Sequence, residues 1–234
     1  MKPEVYCHYI DQIDYKKGWD YQEILFKEAL NRKKQIRNNG DGPVPENHLI
    51  FCEHPHVYTL GKSGNSDNLL INEHALKEKE ASFYKINRGG DITYHGPGQL
   101  VVYPIFDLEQ FFTDIHKYMR FLEESVIKTL EHFNVKGERS KGLTGVWIEP
   151  QTPKARKICA MGVKSSRWVT MHGIGFNICT DLEYFENIVP CGISDKNVTS
   201  LSRELDKKIL TKEVIPILLE KMAQEFKFTP VIKS

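Results

Sequence analysis

The sequence predicts an α/β protein of the α+β kind, with a mixed or antiparallel sheet and flanking helices. Segments with strand composition and segments with helical composition both occur, but they do not alternate strictly, so a regular doubly wound parallel sheet is not expected. The 234 residues, of which 40% are hydrophobic and 27% charged, are enough to bury a sizeable core without disulfide or metal support. We therefore expect a single domain over residues 1–234, with a core at about 45–205 and a C-terminal helix at about 211–226.

Three segments have the composition or the periodicity of helices. The segment from Tyr21 to about Asn38 is rich in Glu, Lys, Leu, Gln and Arg, and it stops at a following Asn-Gly pair. From Phe111 to Phe133, and again from Thr211 to Phe226, apolar residues recur every three or four positions. That spacing places them along one face of a helix, so both segments are expected to pack against the core.

Six runs between these helices are rich in apolar, β-branched and aromatic residues, which is typical of strands. They are residues 48–53, 82–87, 100–105, 144–149, 157–165 and 168–179. The last two are expected to form an antiparallel pair joined near Ser165–Arg167.

Charge and cysteine content narrow the possible functions. Lys plus Arg (32) nearly balance Asp plus Glu (31), so no overall charge favours nucleic acid or a membrane surface as a partner. The five cysteines include no C-x-x-C pair, and His54 and His56 lack a recognisable third ligand, so no metal is expected. The N-terminal segment has neither the apolar core of a signal peptide nor the composition of a transit peptide. Because no run approaches the roughly eighteen apolar residues of a membrane span, we expect a cytoplasmic protein.

The most unusual motif is RGGDITYHGPGQLVVYPI at Arg88–Ile105. A single Gly-Pro-Gly turn would usually be an ordinary hairpin turn. Here, however, four glycines, an Arg, a Tyr and a His all lie within one stretch of eleven residues. Glycines let the backbone approach a ligand closely, and consecutive N–H groups in such a loop can bind an oxyanion. The motif is therefore interpreted as a ligand-binding loop, although it lacks the pattern of a phosphate loop.

A second motif, KICAMGVKSSRWVTMHGIGFN, covers Lys157–Asn177. Ala160 and Gly162 interrupt its first strand, which often means that another group approaches the backbone closely. His172, taken alone, is more simply interpreted as a core histidine.

Cys191 lies in the third motif, VPCGI, between a proline and a glycine. This position is expected on a loop, where the thiol can be presented to a substrate. Cys52, Cys159 and Cys179 lie in apolar strand runs, so they are interpreted as small buried hydrophobic residues. A thiol reacts as the thiolate, so catalysis by Cys191 requires a lowered pKa or an adjacent base. The local sequence leaves catalytic and structural roles for Cys191 equally open.

Together the three motifs, in this order, resemble the lipoyl(octanoyl) transferase family from about His48 to about Leu201. The resemblance implies the biotin/lipoate protein ligase fold and a single catalytic domain without a cofactor. It also implies an octanoyltransferase, an enzyme of protein lipoylation and lipoate biosynthesis. The octanoyl group would pass from octanoyl-acyl carrier protein, through an acyl-thioester intermediate on a cysteine, to a lysine of a lipoyl domain. The implied acceptors are the lipoyl domains of 2-oxoacid dehydrogenase E2 subunits and of the glycine cleavage H protein.

The resemblance also assigns residues. The family cysteine matches Cys191, and the family lysine, within K-I-A-A, matches Lys157; Cys159 stands where many relatives have Ala. Acyl binding is assigned to Arg88, Gly89, Gly90, Asp91, Ile92, Thr93, Tyr94, His95, Ala160, Met161, Gly162, Gly173, Ile174 and Gly175. His95 is a candidate for orienting the acyl carbonyl or the acceptor amine.

Three alternatives remain open from the sequence. An ATP-dependent lipoate or biotin ligase on the same fold would need a nucleotide site and would leave Cys191 without a task. An amidotransferase that moves acyl groups between lipoyl domains would use the same chemistry with another donor. A non-catalytic module that binds the carrier would not need the cysteine at all.

Overall fold

Two sheets and five α-helices form the part of the chain that the computed structural model describes, which is residues 2–189 and 197–232. The helices are α1 (Tyr15–Asn39), α2 (Glu73–Glu78), α3 (Ile115–His132), α4 (Leu201–Leu205) and α5 (Thr211–Phe226). The strands are β1 (Glu4–Gln12), β2 (Asn47–Glu53), β3 (Val57–Leu60), β4 (Ser82–Lys85), β5 (Ile92–His95), β6 (Gln99–Ile105), β7 (Glu138–Ser140), β8 (Leu143–Ile148), β9 (Arg156–Ser166), β10 (Val169–Asn177), β11 (Asn197–Val198) and β12 (Thr229–Ile232). Short 3-10 helices cover Ser66–Asn68, Leu108–Gln110 and Leu182–Asn187.

The larger sheet is mixed, as the sequence predicts. Its strand order is β12-β1-β2-β6-β10-β9-β8-β7, and β11 pairs with β9 beside this path. The pairs of β1 with β12, of β1 with β2 and of β11 with β9 are parallel, whereas the pairs from β2 through β6, β10, β9 and β8 to β7 are antiparallel. A smaller sheet has the order β4-β3-β5.

Helices cover both faces of the larger sheet because successive side chains of its central strands point in opposite directions. On β6, Leu100 and Val102 belong to the core shared with α3 and α5, whereas Val101 and Tyr103 pack with residues of α1. None of the described helices has the length and apolar character needed to cross a lipid bilayer.

The helix predictions are confirmed with shifted boundaries. Helix α5 has the predicted bounds, but α1 begins six residues before Tyr21, at Tyr15. Asp14 caps this end by accepting a hydrogen bond from the amide of Lys17, which starts the helix earlier than its composition indicates. Helix α3 begins at Ile115, where Asp114 provides the equivalent cap.

The predicted strands are all present, and most bounds agree within two residues. The predicted hairpin between β9 and β10 is confirmed. Its turn residues, Arg167 and Trp168, have φ angles of 49° and 66°. Two successive positive φ angles are typical of the tight turn that matches the twist of an antiparallel pair.

Candidate active site

A cavity of about 520 Å³ lies over the β9–β10 hairpin. All the predicted acyl-binding residues except Tyr94 line it, and so does Lys157. The motif at Arg88–Ile105 and the motif at Lys157–Asn177 therefore face the same space, as expected if both bind one ligand.

Arg88 holds the glycine-rich loop in place instead of pointing to solvent. Its guanidinium donates to the carbonyl and the hydroxyl of Thr59, at 2.8 and 3.0 Å, and to the carbonyl of Gly89 at 3.0 Å. The amide of Gly89 donates to the carbonyl of Val163 on β9 at 2.9 Å. The loop is thus bonded to both the small sheet and the large one, which fixes one wall of the cavity.

Backbone approaches the glycines of the hairpin so closely that a side chain would not fit. A Cβ at Gly173 would lie 2.3 Å from the carbonyl oxygen of Val102 on the neighbouring strand. A Cβ at Gly162 would lie 2.9 Å from the carbonyl oxygen of Gly89. The sequence signal of small residues in a strand therefore has the expected physical cause. This side of the cavity is built largely from main chain.

Lys157 lies on β9 where that strand meets β8 and β11. Its ammonium nitrogen is 4.6 Å from the ring centroid of Trp147, a cation–π distance. Lys157 pairs with Val198 of β11, and its carbonyl accepts a hydrogen bond from the amide of Thr199 at 2.9 Å. The lysine is positioned both by an aromatic face and by backbone pairing.

Cys191 belongs to residues 190–196, which are outside the described residues. The chain on either side is anchored, however. The amide of Val189 donates to the carbonyl of Asn68 at 2.9 Å, and Ile188 forms a bridge with Leu69. On the other side, Val198 is paired with Lys157.

Apolar side chains that the sequence analysis did not assign to the site line the rest of the cavity. Ile115 and Met119 come from the first turns of α3, and Leu143 comes from β8. Phe185 comes from the 3-10 helix that precedes Cys191. The periodicity of α3 identified an apolar face, but it could not separate the residues of that face that pack in the core from those that line a cavity.

The other end of the cavity contains a buried polar cluster from several separate elements. Its members are Tyr15, His54, His95, Tyr103 and His172, and each side chain is at least nine-tenths buried. All but His54 line the cavity. His54 bridges the cluster to the backbone, with Nδ1 at 2.7 Å from the carbonyl of Ile13 and Nε2 at 2.7 Å from the hydroxyl of Tyr103.

Burial keeps the three histidines neutral. It lowers the pKa of His54 to about 4 and the pKa of His95 to about 3; a smaller lowering of the His95 pKa comes from the nearby His54. Burial and the charge of Arg88 lower the pKa of His172 to about 3. The prediction that His172 is buried is confirmed, but it lies at the cavity wall and has a φ of 60°. No three His, Cys, Asp or Glu side chains among residues 2–189 and 197–232 are placed to hold a metal ion.

Tyr94 lies behind the cavity wall. Its side chain is fully buried, and its hydroxyl is 2.7 Å from Nδ1 of His56. The ring of His56 stacks on that of Tyr184 with a centroid distance of 4.0 Å. Through His56, Tyr94 thus contacts Tyr184 in the 3-10 helix that precedes Cys191. Its sequence neighbours Thr93 and His95 line the cavity instead.

The predictions for the other cysteines hold in two of three cases. Cys52 and Cys159 are buried, and burial raises the pKa of both thiols. Cys179 is only partly buried, so the prediction for it is wrong; β10 ends at Asn177, and Cys179 lies beyond the end of the strand. Burial nevertheless raises the pKa of the Cys179 thiol as well.

Lys157 and the fixed glycine loop thus line the same largely apolar cavity. A family model described as the lipoyl protein ligase A/B catalytic domain matches residues 14–223, and the chain belongs to this family. The family predicted from the three motifs is therefore confirmed.

Curated relatives refine this assignment. The chain is 58% identical over 225 residues to a protein named octanoyltransferase from Christiangramia forsetii, with 96% of each chain covered. It is also 58% identical to an octanoyltransferase from Cytophaga hutchinsonii, over 92% of this chain and 89% of that one. The enzyme class predicted from the sequence agrees with the name that these relatives carry.

Solved structures confirm the predicted fold. A bipartite lipoate protein ligase from Thermoplasma acidophilum superposes with a TM-score of 0.70 at 14% identity, covering 100% of this chain and 88% of the other. Lipoate-protein ligase A bound with ATP gives a TM-score of 0.68 at 14% identity, covering 100% and 90%. At this identity the likeness concerns the fold alone.

Proposed function

We propose that this chain catalyses the octanoyl transfer for which its curated relatives are named. The donor is octanoyl-acyl carrier protein, and the acceptor is a lysine on a lipoyl domain of a 2-oxoacid dehydrogenase E2 subunit or of the glycine cleavage H protein. Cys191 is the nucleophile and Lys157 transfers protons. The observation that carries the proposal is that Lys157 lines an apolar cavity bounded by the predicted acyl-binding residues.

Chain connectivity supports the pairing of Cys191 with this cavity. Cys191 follows the anchored residue Val189 by two positions in sequence. Phe185 before the segment, and Asn197 and Val198 after it, all line the cavity. The segment that contains Cys191 therefore begins and ends at the edge of the space that Lys157 faces.

The chemistry proceeds in two acyl transfers. The Cys191 thiolate attacks the thioester carbonyl of the donor, and the carrier leaves as a thiol that takes its proton from the Lys157 ammonium, which becomes a neutral amine. The acceptor amine then attacks the Cys191 thioester, forming an amide and returning the cysteine to the thiolate. A nearby ammonium favours a thiolate, and the neutral amine of Lys157 can accept the proton of the incoming amine.

The apolar part of the cavity suits the acyl chain. Ile115, Met119 and Leu143 contribute hydrocarbon side chains to the cavity lining. Burial of a methylene group in such contacts contributes about 0.8 kcal/mol. Chain binding can therefore hold the thioester in position for attack without a charged anchor.

Intact-protein mass spectrometry tests the proposal. After incubation with octanoyl-loaded carrier protein, the wild type should gain one octanoyl group without ATP, and a lipoyl domain should remove it. Cys191→Ser should gain none, whereas Cys179→Ser should behave as the wild type, because it removes a partly exposed thiol elsewhere. An adduct that persists in Cys191→Ser would contradict the proposed nucleophile. Transfer that depends on ATP and Mg²⁺ would favour a ligase instead.

A further inference from the structure

The inner end of the cavity presents polar atoms that the transfer of an octanoyl group does not use. Tyr15 and His95 line the cavity and have exposed fractions of only 3% and 9%. Neither the Tyr15 hydroxyl nor Nε2 of His95 has a hydrogen-bond partner among the residues that the structure describes. A buried polar group without a partner is destabilising, and the methyl end of an octanoyl chain cannot provide a partner.

A chain of hydrogen bonds fixes which nitrogen of His95 accepts. The amide of Asn177 donates to the carbonyl of Thr199 at 3.0 Å, so its oxygen faces Gln99. The Gln99 amide donates to that oxygen at 2.9 Å, which leaves its own oxygen 2.6 Å from Nδ1 of His95. Nδ1 must therefore carry the proton, and Nε2 has a free lone pair. The lowered pKa of His95 agrees with a neutral ring.

The distance from Lys157 to His95 along the sheet matches the length of the proposed acyl chain. Cε1 of His95 lies 3.4 Å from where a Cβ of Gly175 would be, and Gly175 pairs with Ala160. Ala160 follows Lys157 by three residues along β9, which corresponds to about 10 Å. An extended eight-carbon acyl chain spans roughly 9 Å when calculated from single-bond lengths. An acyl group whose carbonyl lies beside Lys157 would thus end next to His95, which gives His95 a place at the far end of the chain and not the carbonyl- or amine-orienting role expected from the sequence.

We propose that Tyr15 and His95 form a subsite for a hydroxyl group at the far end of the acyl chain, so that 8-hydroxyoctanoyl thioesters are also substrates. This inference depends on the proposed function. A hydroxyl group can accept a hydrogen bond from the Tyr15 phenol and donate one to Nε2 of His95, which matches the two buried groups. Water has the same chemistry and would occupy the subsite when the chain ends in a methyl group.

The test compares two donors, octanoyl- and 8-hydroxyoctanoyl-loaded acyl carrier protein, with a lipoyl domain as acceptor. A purely apolar pocket would reject the added hydroxyl by about 100-fold in kcat/KM, whereas the subsite predicts values within about fivefold of each other. In Tyr15→Phe the ratio of hydroxyoctanoyl to octanoyl kcat/KM should fall about tenfold, because one hydrogen bond is lost. His95→Leu should lower the same ratio and provides a second variant.

Tyr21→Phe is the matched control, since Tyr21 is on the same helix but its hydroxyl is 3.1 Å from Nδ1 of His8. Its ratio should equal that of the wild type. A wild-type ratio below about one hundredth would overturn the subsite and would mean that only water binds there. A ratio that Tyr15→Phe and His95→Leu leave unchanged would overturn it as well. If neither donor is used, the proposed function itself fails.

Discussion

Lys157 and Val198 are paired in parallel register, and the amide of Thr199 closes this contact with a 2.9 Å hydrogen bond to the Lys157 carbonyl. Strand β11, which follows residues 190–196 in sequence, thus joins the sheet beside the proposed proton-transfer residue. Residues 157 and 198 are 41 positions apart in sequence and are brought together by this strand pair.

Lys157→Met should lower kcat for octanoyl transfer by about 10²–10⁴-fold, the usual contribution of a positioned acid or base. The methionine side chain is unbranched and only one atom shorter, but it cannot exchange a proton. Lys164→Met is the control, because Lys164 lies on the same strand with its ammonium 5.0 Å from the ring of Phe26 and outside the cavity lining. Steady-state kinetics with saturating donor measure both variants. Equal activity of Lys157→Met and wild type would rule out this role.

Gly173→Ala should destabilise the fold more than Gly175→Ala. A Cβ at position 173 meets the Val102 carbonyl oxygen at 2.3 Å, so two central strands must separate. A Cβ at position 175 meets side-chain atoms of Gln99 and His95 at 3.1 Å or more, which can shift. We expect a loss above about 3 kcal/mol in the first case and of about 1–3 kcal/mol in the second, from urea unfolding. The reverse order would contradict the assigned backbone contact.

The free energy of unfolding should fall as the pH drops below about 6.5. An unfolded histidine has a pKa near 6.5, whereas burial lowers the folded values to about 4 for His54 and about 3 for His95 and His172. Between these values the unfolded state binds more protons, so stability that is complete above pH 6.5 is lost as the pH falls toward 3. Each histidine contributes up to about 1.4 kcal/mol per pH unit.

Urea unfolding from pH 7.5 to 4.5 measures this slope. His172→Gln should reduce the slope by the contribution of about one bound proton, because one buried histidine is removed. His74→Gln should leave it unchanged, since the His74 side chain is 81% exposed. A slope in His172→Gln identical to that of the wild type would show that this ring does not remain neutral.

Gln99→Leu should remove the hydrogen bond that fixes the tautomer of the His95 ring. The substitution keeps a similar volume but removes the acceptor for Nδ1–H and the donors to Asn177 and to the Tyr94 carbonyl. We expect a destabilisation of about 1–3 kcal/mol, and ¹⁵N NMR of the His95 ring should show a mixture of tautomers in place of one. Gln35→Leu, on the exposed side of α1, should change neither property. A single unchanged tautomer in Gln99→Leu would contradict the hydrogen-bond chain.

The sequence predicts most of the central sheet, because its strands are apolar runs bounded by turn residues. Strand β1 was missed because only Val5 and Cys7 are fully buried among charged and exposed neighbours. Strand β12 is short and mostly exposed, so no periodicity indicates it. Local patterns detect elements that bury a continuous apolar face and miss strands that are short or only partly buried.

The same reasoning explains what could be predicted of the site. Each of the two glycine-rich motifs indicates close backbone contacts from its own local sequence, and residues of both motifs line the cavity. The buried polar cluster could not be predicted, because Tyr15, His95, Tyr103 and His172 come from α1, β5, β6 and β10. His95 lies in a motif that the sequence already marks as ligand-binding, but Tyr15, Tyr103 and His172 look like ordinary core or surface residues in their own segments, and only the tertiary fold brings them to His95.

The main-chain wall of the cavity has a practical consequence for engineering. At Gly162 and Gly173 there is no side chain to trim and no space to add one, so substitutions there cannot retune which fatty acids are accepted. The adjustable part of the lining is the one to which Ile115, Met119 and Leu143 contribute side chains. A library aimed at shorter or longer products should therefore be confined to the start of α3 and to β8.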